Sequence, residues 1–284
     1  MTLSTQTLQT AGGFPFELVH SKGVEERAQQ AADIVAGGLP VLSQVLGFSP
    51  RLQLVVLSRA DWPQHAARQV YGTPHNFDGD TIVVGADPAG FWSDSVAMIE
   101  PSLGPGESAR LHAHYGEQSG LIDVRPFTSL IVLHQLGHIF HQQVPFDFPR
   151  RWLRELFANM CVYTAVVNAL PERLDDLEML PLSLTGAPAQ LATRRTLSDF
   201  AGVTLSDALE NFVWYQFRLV VAAKAIYEAA GSVALRRFFD LFLRCCDRPI
   251  SDDELSELLE RKVAPEVALV MSSWPHVSES APAL

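Results

Sequence analysis

Three side chains near the middle of the chain have the types and spacing of a metal site. His134 and His138 lie four residues apart in SLIVLHQLGHIFHQQ, and Glu155 follows in RRWLRELFANM. Read as helix, an i, i+4 pair puts both imidazoles on one face, with Cβ atoms about 5–6 Å apart. That separation lets both rings reach one tetrahedral ion at about 2.0–2.1 Å. A carboxylate from the next helix supplies a third ligand, and the fourth position is left for water. The helix carrying the histidines is apolar on nearly every face, through Phe127, Leu130, Ile131, Val132, Leu133, Leu136, Ile139 and Phe140. Such a helix is buried, and two histidines at one place on it need partners. A metal is the simplest one.

The stretch resembles the gluzincin metallopeptidases, the group of thermolysin and the zinc aminopeptidases. Their His-Glu-x-x-His motif is matched by His134-Gln135-Leu136-Gly137-His138. Their glutamate-bearing second helix is matched by Trp152-Leu153-Arg154-Glu155, with Glu155 17 positions after His138. The resemblance implies zinc as cofactor and His134, His138 and Glu155 as its ligands. It also implies a small twisted sheet packed on the motif helix. The general-base glutamate of the family is Gln135 here, and a carboxamide takes no proton from water near neutral pH.

Further roles follow from the same resemblance. Asn159, four residues after Glu155, stands where relatives have an aspartate that accepts a hydrogen bond from the first histidine. Such a contact fixes the imidazole tautomer. Tyr215, in NFVWYQF, lies 60 residues after Glu155, at a distance where zinc aminopeptidases carry an oxyanion-binding tyrosine; a place in the Phe212, Trp214, Phe217 cluster explains it equally well. The family's outermost strand binds extended peptide by main-chain pairing. Thr81, Ile82, Val83 and Val84 are the candidates for that strand, with an ordinary internal strand as the alternative. His141 is expected to be structural or on the surface. His112 and His114 are read as solvent-facing or satisfied in the core, because no third ligand is spaced to join them.

The elements that must position these groups read as α+β. Strand patterns occupy Phe14–Val19, Leu52–Leu57 and Thr81–Val84. A helix runs from Val24, interrupted at Gly37, Gly38 and Pro40, and Gly47 is placed as its C-cap. Ala60–Tyr71 looks helical, with Pro63 in its first turn. Residues 86–125 are rich in Gly, Pro, Ser and Asp and are expected to hold short helical pieces at best, with Phe91, Trp92 and Met98 packing over the site. A loop-rich region reaches to about residue 196. Beyond it, helices are expected from Leu205 to a stop at Gly231, over Ala234–Leu243, and over Ser251–Lys262 behind a capping box formed by Ser251 and Glu254. The first 12 residues and the tail from Ser272 read as loose. Residues 1–125 thus form a mixed α/β region with the strand candidate. Residues 126–284 form a helical region with both motif helices, in one compact unit or two close lobes.

The chain has 284 residues, 48% hydrophobic and 19% charged, which suffices for a sizeable core. A net charge of −11 with no basic run argues against nucleic-acid partners. No signal peptide and no membrane-spanning run is visible. The cysteines Cys161, Cys245 and Cys246 form no disulfide framework, which suits buried thiols in a cytoplasmic protein. The functional expectation is a zinc peptidase-like protein whose peptide hydrolysis is lost or impaired at Gln135. Two alternatives stand beside it. One is a binding protein that holds a peptide or partner without cutting it. The other is an engineered Glu→Gln variant of an active peptidase.

Overall fold

The computed structural model describes residues 8–117, 120–185, 196–203, 209–245 and 249–274. Two layers are built from the N-terminal part. Five strands, β1 (Gln9–Ala11), β2 (Glu17–His20), β3 (Gln53–Leu57), β4 (His75–Phe77) and β5 (Thr81–Gly85), form one mixed sheet in the order β1-β2-β3-β5-β4. β2, β3 and β5 run parallel, with Val55 opposite both Val19 and Val83; the outer strands β1 and β4 are antiparallel to their neighbours. The inner strands are buried on both faces and read as continuous apolar runs, as sheets covered on two sides do.

Helix α1 (Glu25–Leu46) crosses this sheet and passes straight through Pro40. The sequence pattern predicts an interruption here, and the structure corrects it. Gly38 is required for contact, not for a bend: a Cβ there would lie 2.6 Å from Leu133 Cδ2 and 3.2 Å from Ala165 Cβ. The acidic residues Glu25 and Glu26 sit in its first turn, where the helix dipole favours them, and Gly47 closes it in the left-handed conformation at φ 82°. The helix expected over Ala60–Tyr71 shrinks to α2 (Trp62–His65), after which the indole of Trp62 donates to the carbonyl of Arg68 at 2.7 Å. Residues 86–125 hold more helix than expected, α3 (Gly90–Ile99) and α4 (Pro105–Tyr115). Pro105 at the first helical position and Glu107, whose carboxylate accepts from Gly104 N at 3.1 Å, start α4. The first residues are not all loose, because Gln9–Ala11 completes the sheet.

Among the described residues, every regular element after α5 (Arg125–Ser129) is a helix. The motif helix α6 (Ile131–Gln142) is buried between the sheet, α1 and α7 (Arg151–Ala169). Then come α8 (Leu174–Thr185) and α9 (Leu209–Cys245), which is kinked at Gly231. Gly231, at φ 63° and ψ −164°, leaves helical geometry and divides α9 into two helices joined at a kink, the stop expected from the sequence. α10 (Asp252–Lys262) is capped by Ser251, whose Oγ accepts from Glu254 N at 3.3 Å, and α11 (Pro265–Ser272) follows. One hydrophobic cluster extends from Phe16, just before β2, to Trp274, so the mixed and helical regions share a core. Among the described residues, no helix is long and apolar enough to cross a membrane. Cys161 is buried and free, while Cys246 lies outside the described residues.

Candidate metal centre

α6 and α7 meet where their side chains are smallest. A Cβ on Gly137 would sit 2.9 Å from Ala158 Cα and 3.1 Å from Cys161 Cβ, so the two backbones nearly touch. This close crossing brings Glu155, one turn before Ala158, to the histidine face of α6. Between His134 Nε2, His138 Nε2 and Glu155 Oε2 the separations are 3.1, 3.2 and 3.6 Å. A tetrahedral ion with ligands at about 2.0–2.1 Å sets its ligand atoms about 3.3–3.4 Å apart. The three atoms therefore already stand near the edges of one tetrahedral face. Two imidazoles and one carboxylate suit zinc and neighbouring transition metals, not the all-oxygen shells of calcium or magnesium. His134, His138 and Glu155 can thus hold a metal ion.

The side chains are 11%, 10% and 8% exposed, respectively, so the cluster is nearly enclosed but open on one side. Its protonation suits ligation. Burial opposes ionisation of Glu155, but the two imidazoles overcome this and hold the carboxyl well below its ordinary range. Burial also pushes His138 down, which leaves a neutral imidazole with a free lone pair.

Supporting contacts come from α7 and α9. His134 Nδ1 lies 3.2 Å from Asn159 Oδ1, which directs the other nitrogen to the metal position, as expected for Asn159. The Asn159 amide donates to Glu155 O at 3.0 Å and to Gln216 Oε1 at 3.3 Å, and Gln216 Nε2 donates to Glu155 Oε2 at 3.0 Å. Gln216 is the residue of α9 that reaches the centre. Tyr215, for which the sequence left an oxyanion-binding role and a place among buried aromatics open, takes the latter: it is fully buried against Trp214. Its hydroxyl donates to Thr196 O at 2.6 Å, and its ring stacks on Phe200 and Trp274. A buried glutamine inside an apolar helix face is itself a signal, since such groups demand partners. His141 is structural, with Nδ1 3.0 Å from His138 O and its ring stacked on Phe148.

No protein-family model, curated protein or solved structure matches this chain.

The open side of the centre faces a cleft of about 410 Å³ between α6, the start of α7 and the β4 region. Gln135 lines it, and its carboxamide has no hydrogen-bond partner among the described residues. A second, apolar pocket opens beside His134, lined by Phe91, Trp92, Phe127 and Phe217. Met98 is 40% exposed and does not line it. The strand assignment needs correction. Thr81–Val84 belongs to β5, which is paired on both sides and presents no edge; β4, the hairpin partner of β5, is the outer strand. Asn76 on β4 donates to Gln135 O at 3.1 Å, tying that strand to the motif helix. Upstream of the motif helix, Glu100 pairs with His112, Glu107 starts α4, and Glu117 pairs with Arg125. His114 pairs with Asp176.

Proposed function

We propose that the chain is a zinc-binding protein of metallopeptidase type, built around a gluzincin-like centre and impaired in peptide hydrolysis by Gln135. The observation that carries this reading is the convergence of His134, His138 and Glu155 at tetrahedral spacing on the wall of an open cleft. Zinc, when bound, supplies Lewis acidity toward a carbonyl and toward water. The chain's own residues do the rest. Asn159 fixes the tautomer of His134, and Gln216 orients the Glu155 carboxylate. The apolar pocket beside His134 accommodates a large side chain, and β4 offers main-chain groups at the rim. Gln135 can donate and accept hydrogen bonds there but cannot hold a proton in transit. General-base catalysis is worth about 10²–10⁴ in rate, so its loss leaves little turnover.

A second reading, capture of a peptide without cleavage, is favoured by the same carboxamide: a site that keeps its ligands and lacks its base still binds. Two measurements test these readings. Protein purified without chelator should carry about one zinc per chain, and His134→Ala should lose it; low zinc unchanged by that substitution would refute the metal centre. A mixed peptide library followed by mass spectrometry should show chelator-sensitive cleavage by Gln135→Glu and little by the parent chain. Equal cleavage by both would mean that another residue serves as base, whereas silence from both favours binding alone.

A further inference from the structure

The cleft carries a charge opposite to that of the molecule. The chain has a net charge of −11, yet among the described residues the cleft's charged side chains, histidines aside, are Arg68, Arg151, Arg154 and Glu155. Glu155 faces the imidazoles. Among the described residues, exposed Arg68 has no ion-pair partner, and Arg154 reaches only the far oxygen of Glu155, at 3.5 Å. Arg151 gives one terminal nitrogen to the carbonyls of Phe200 and Val203, lies over the Phe200 ring at 4.7 Å, and keeps a buried Nε with no hydrogen-bond partner among the described residues. Two of these arginines stand in the first turn of α7, a turn with no acidic residue and no side-chain cap. Positive charge at a helix N-terminus is the unfavourable sign, so an anion placed there relieves both the helix end and the guanidinium groups.

The opposite wall points to what carries that anion. Thr73 and Asn76 line that wall, and Asn76 lies on β4, the outer strand of the sheet. An outer strand leaves main-chain groups free to pair with an extended peptide. The two walls together ask for a ligand with both an extended main chain and negative charge.

We propose that the cleft binds peptides through a carboxylate held by Arg68, Arg151 and Arg154, with the peptide main chain lying along β4. This rests on reading the site as a peptide cleft. The carboxylate is a chain terminus or an acidic side chain, and the two are separable.

Three blocked tripeptides with a central phenylalanine serve as probes: one ending in a free carboxylate, one ending in a carboxamide, and one amidated with aspartate at its first position. Binding is measured by calorimetry on the zinc-supplemented protein, on His134→Ala, and on Arg68→Gln and Arg154→Gln. The free-carboxylate or the aspartate peptide should bind at least about tenfold tighter than the neutral one, as charge-assisted guanidinium pairs allow, and whichever does identifies the source. Each arginine substitution should remove about five- to tenfold of that preference and leave the neutral peptide unchanged. Equal binding of charged and neutral peptides, or no binding of any, would overturn the proposal. So would a preference that vanishes in His134→Ala and ignores both arginine substitutions, because the carboxylate would then sit on the metal. A chain that holds no zinc but keeps the arginine-dependent preference refutes the metal reading and leaves this one standing.

Discussion

Gly137→Ala tests the link between helix packing and metal geometry. The added methyl would meet Ala158 Cα at 2.9 Å and Cys161 Cβ at 3.1 Å. The first distance falls about 0.6–1.1 Å short of ordinary carbon–carbon contact. The obstacle is backbone, so no rotamer change relieves it, and α6 must move away from α7 by a comparable amount. Two consequences follow. Overpacking of this kind costs about 1–3 kcal/mol of stability. The gap between His134 Nε2 and Glu155 Oε2, now 3.2 Å, opens toward 4 Å, beyond the roughly 0.5 Å tolerance of a metal constellation. Zinc affinity, read by competition with a chromophoric chelator, should fall about 10-fold or more, together with a lower Tm of the metal-free protein. Gly38→Ala is the control, since its nearest obstacle is the far end of the Leu133 side chain. It should lower the Tm less and leave zinc affinity nearly unchanged. If Gly137→Ala keeps both affinity and Tm at parent values, the close crossing does not set the site.

Other outcomes are expected. Asn159→Ala removes the acceptor for His134 Nδ1 and leaves Gln216 Oε1 without its donor, so zinc affinity should drop about 10- to 100-fold, measured by the same competition. Gln216→Leu should weaken zinc binding in the same direction, whereas Tyr215→Phe, which removes a hydroxyl bonded to Thr196 O, should change stability and not metal content. Burial depresses the pKa of His141 to about 3, so the folded state favours its neutral form. The stability this contributes is complete above the unfolded value near 6.5 and is lost as pH falls from there toward about 3. His141→Phe, which keeps a ring against Phe148, should shift acid unfolding, followed by circular dichroism, to lower pH; an unchanged midpoint would show that His141 protonation does not drive the transition.

Much of the centre was legible because its determinants are local. His134 and His138 share a helix face by spacing alone, and Glu155 and Asn159 repeat that spacing on the next helix. The choice between Tyr215 and Gln216 was not local. Neighbouring helical residues point about 100° apart, and which one meets α7 depends on how the two helices rotate against each other. Strand order failed for a related reason. Thr81–Val84 reads as a strand from its β-branched run, but whether it lies at the edge depends on the short segment His75–Phe77, which folds back beside it and carries no strand pattern of its own. In α1, Gly37, Gly38 and Pro40 read as breakers, whereas Gly38 is the surface against which Leu133 and Ala165 pack. The arginine wall also escaped the sequence, because Arg68 and Arg154 are 86 positions apart and meet only across the finished cleft.

The brevity of β4 has a kinetic consequence. A chain laid along three residues gains about two or three main-chain hydrogen bonds, each worth a net 0.5–1.5 kcal/mol or so. That corresponds to dissociation constants of roughly millimolar or weaker. At ordinary association rates of about 10⁵–10⁷ M⁻¹s⁻¹, a segment held only by such pairing leaves within roughly 0.1–10 ms. On the proposed peptide-binding reading, residence in the cleft is therefore governed by the groups at the ends of the ligand and by the side chain beside His134, and the strand would serve as a guide rail that lets segments without those groups slip away.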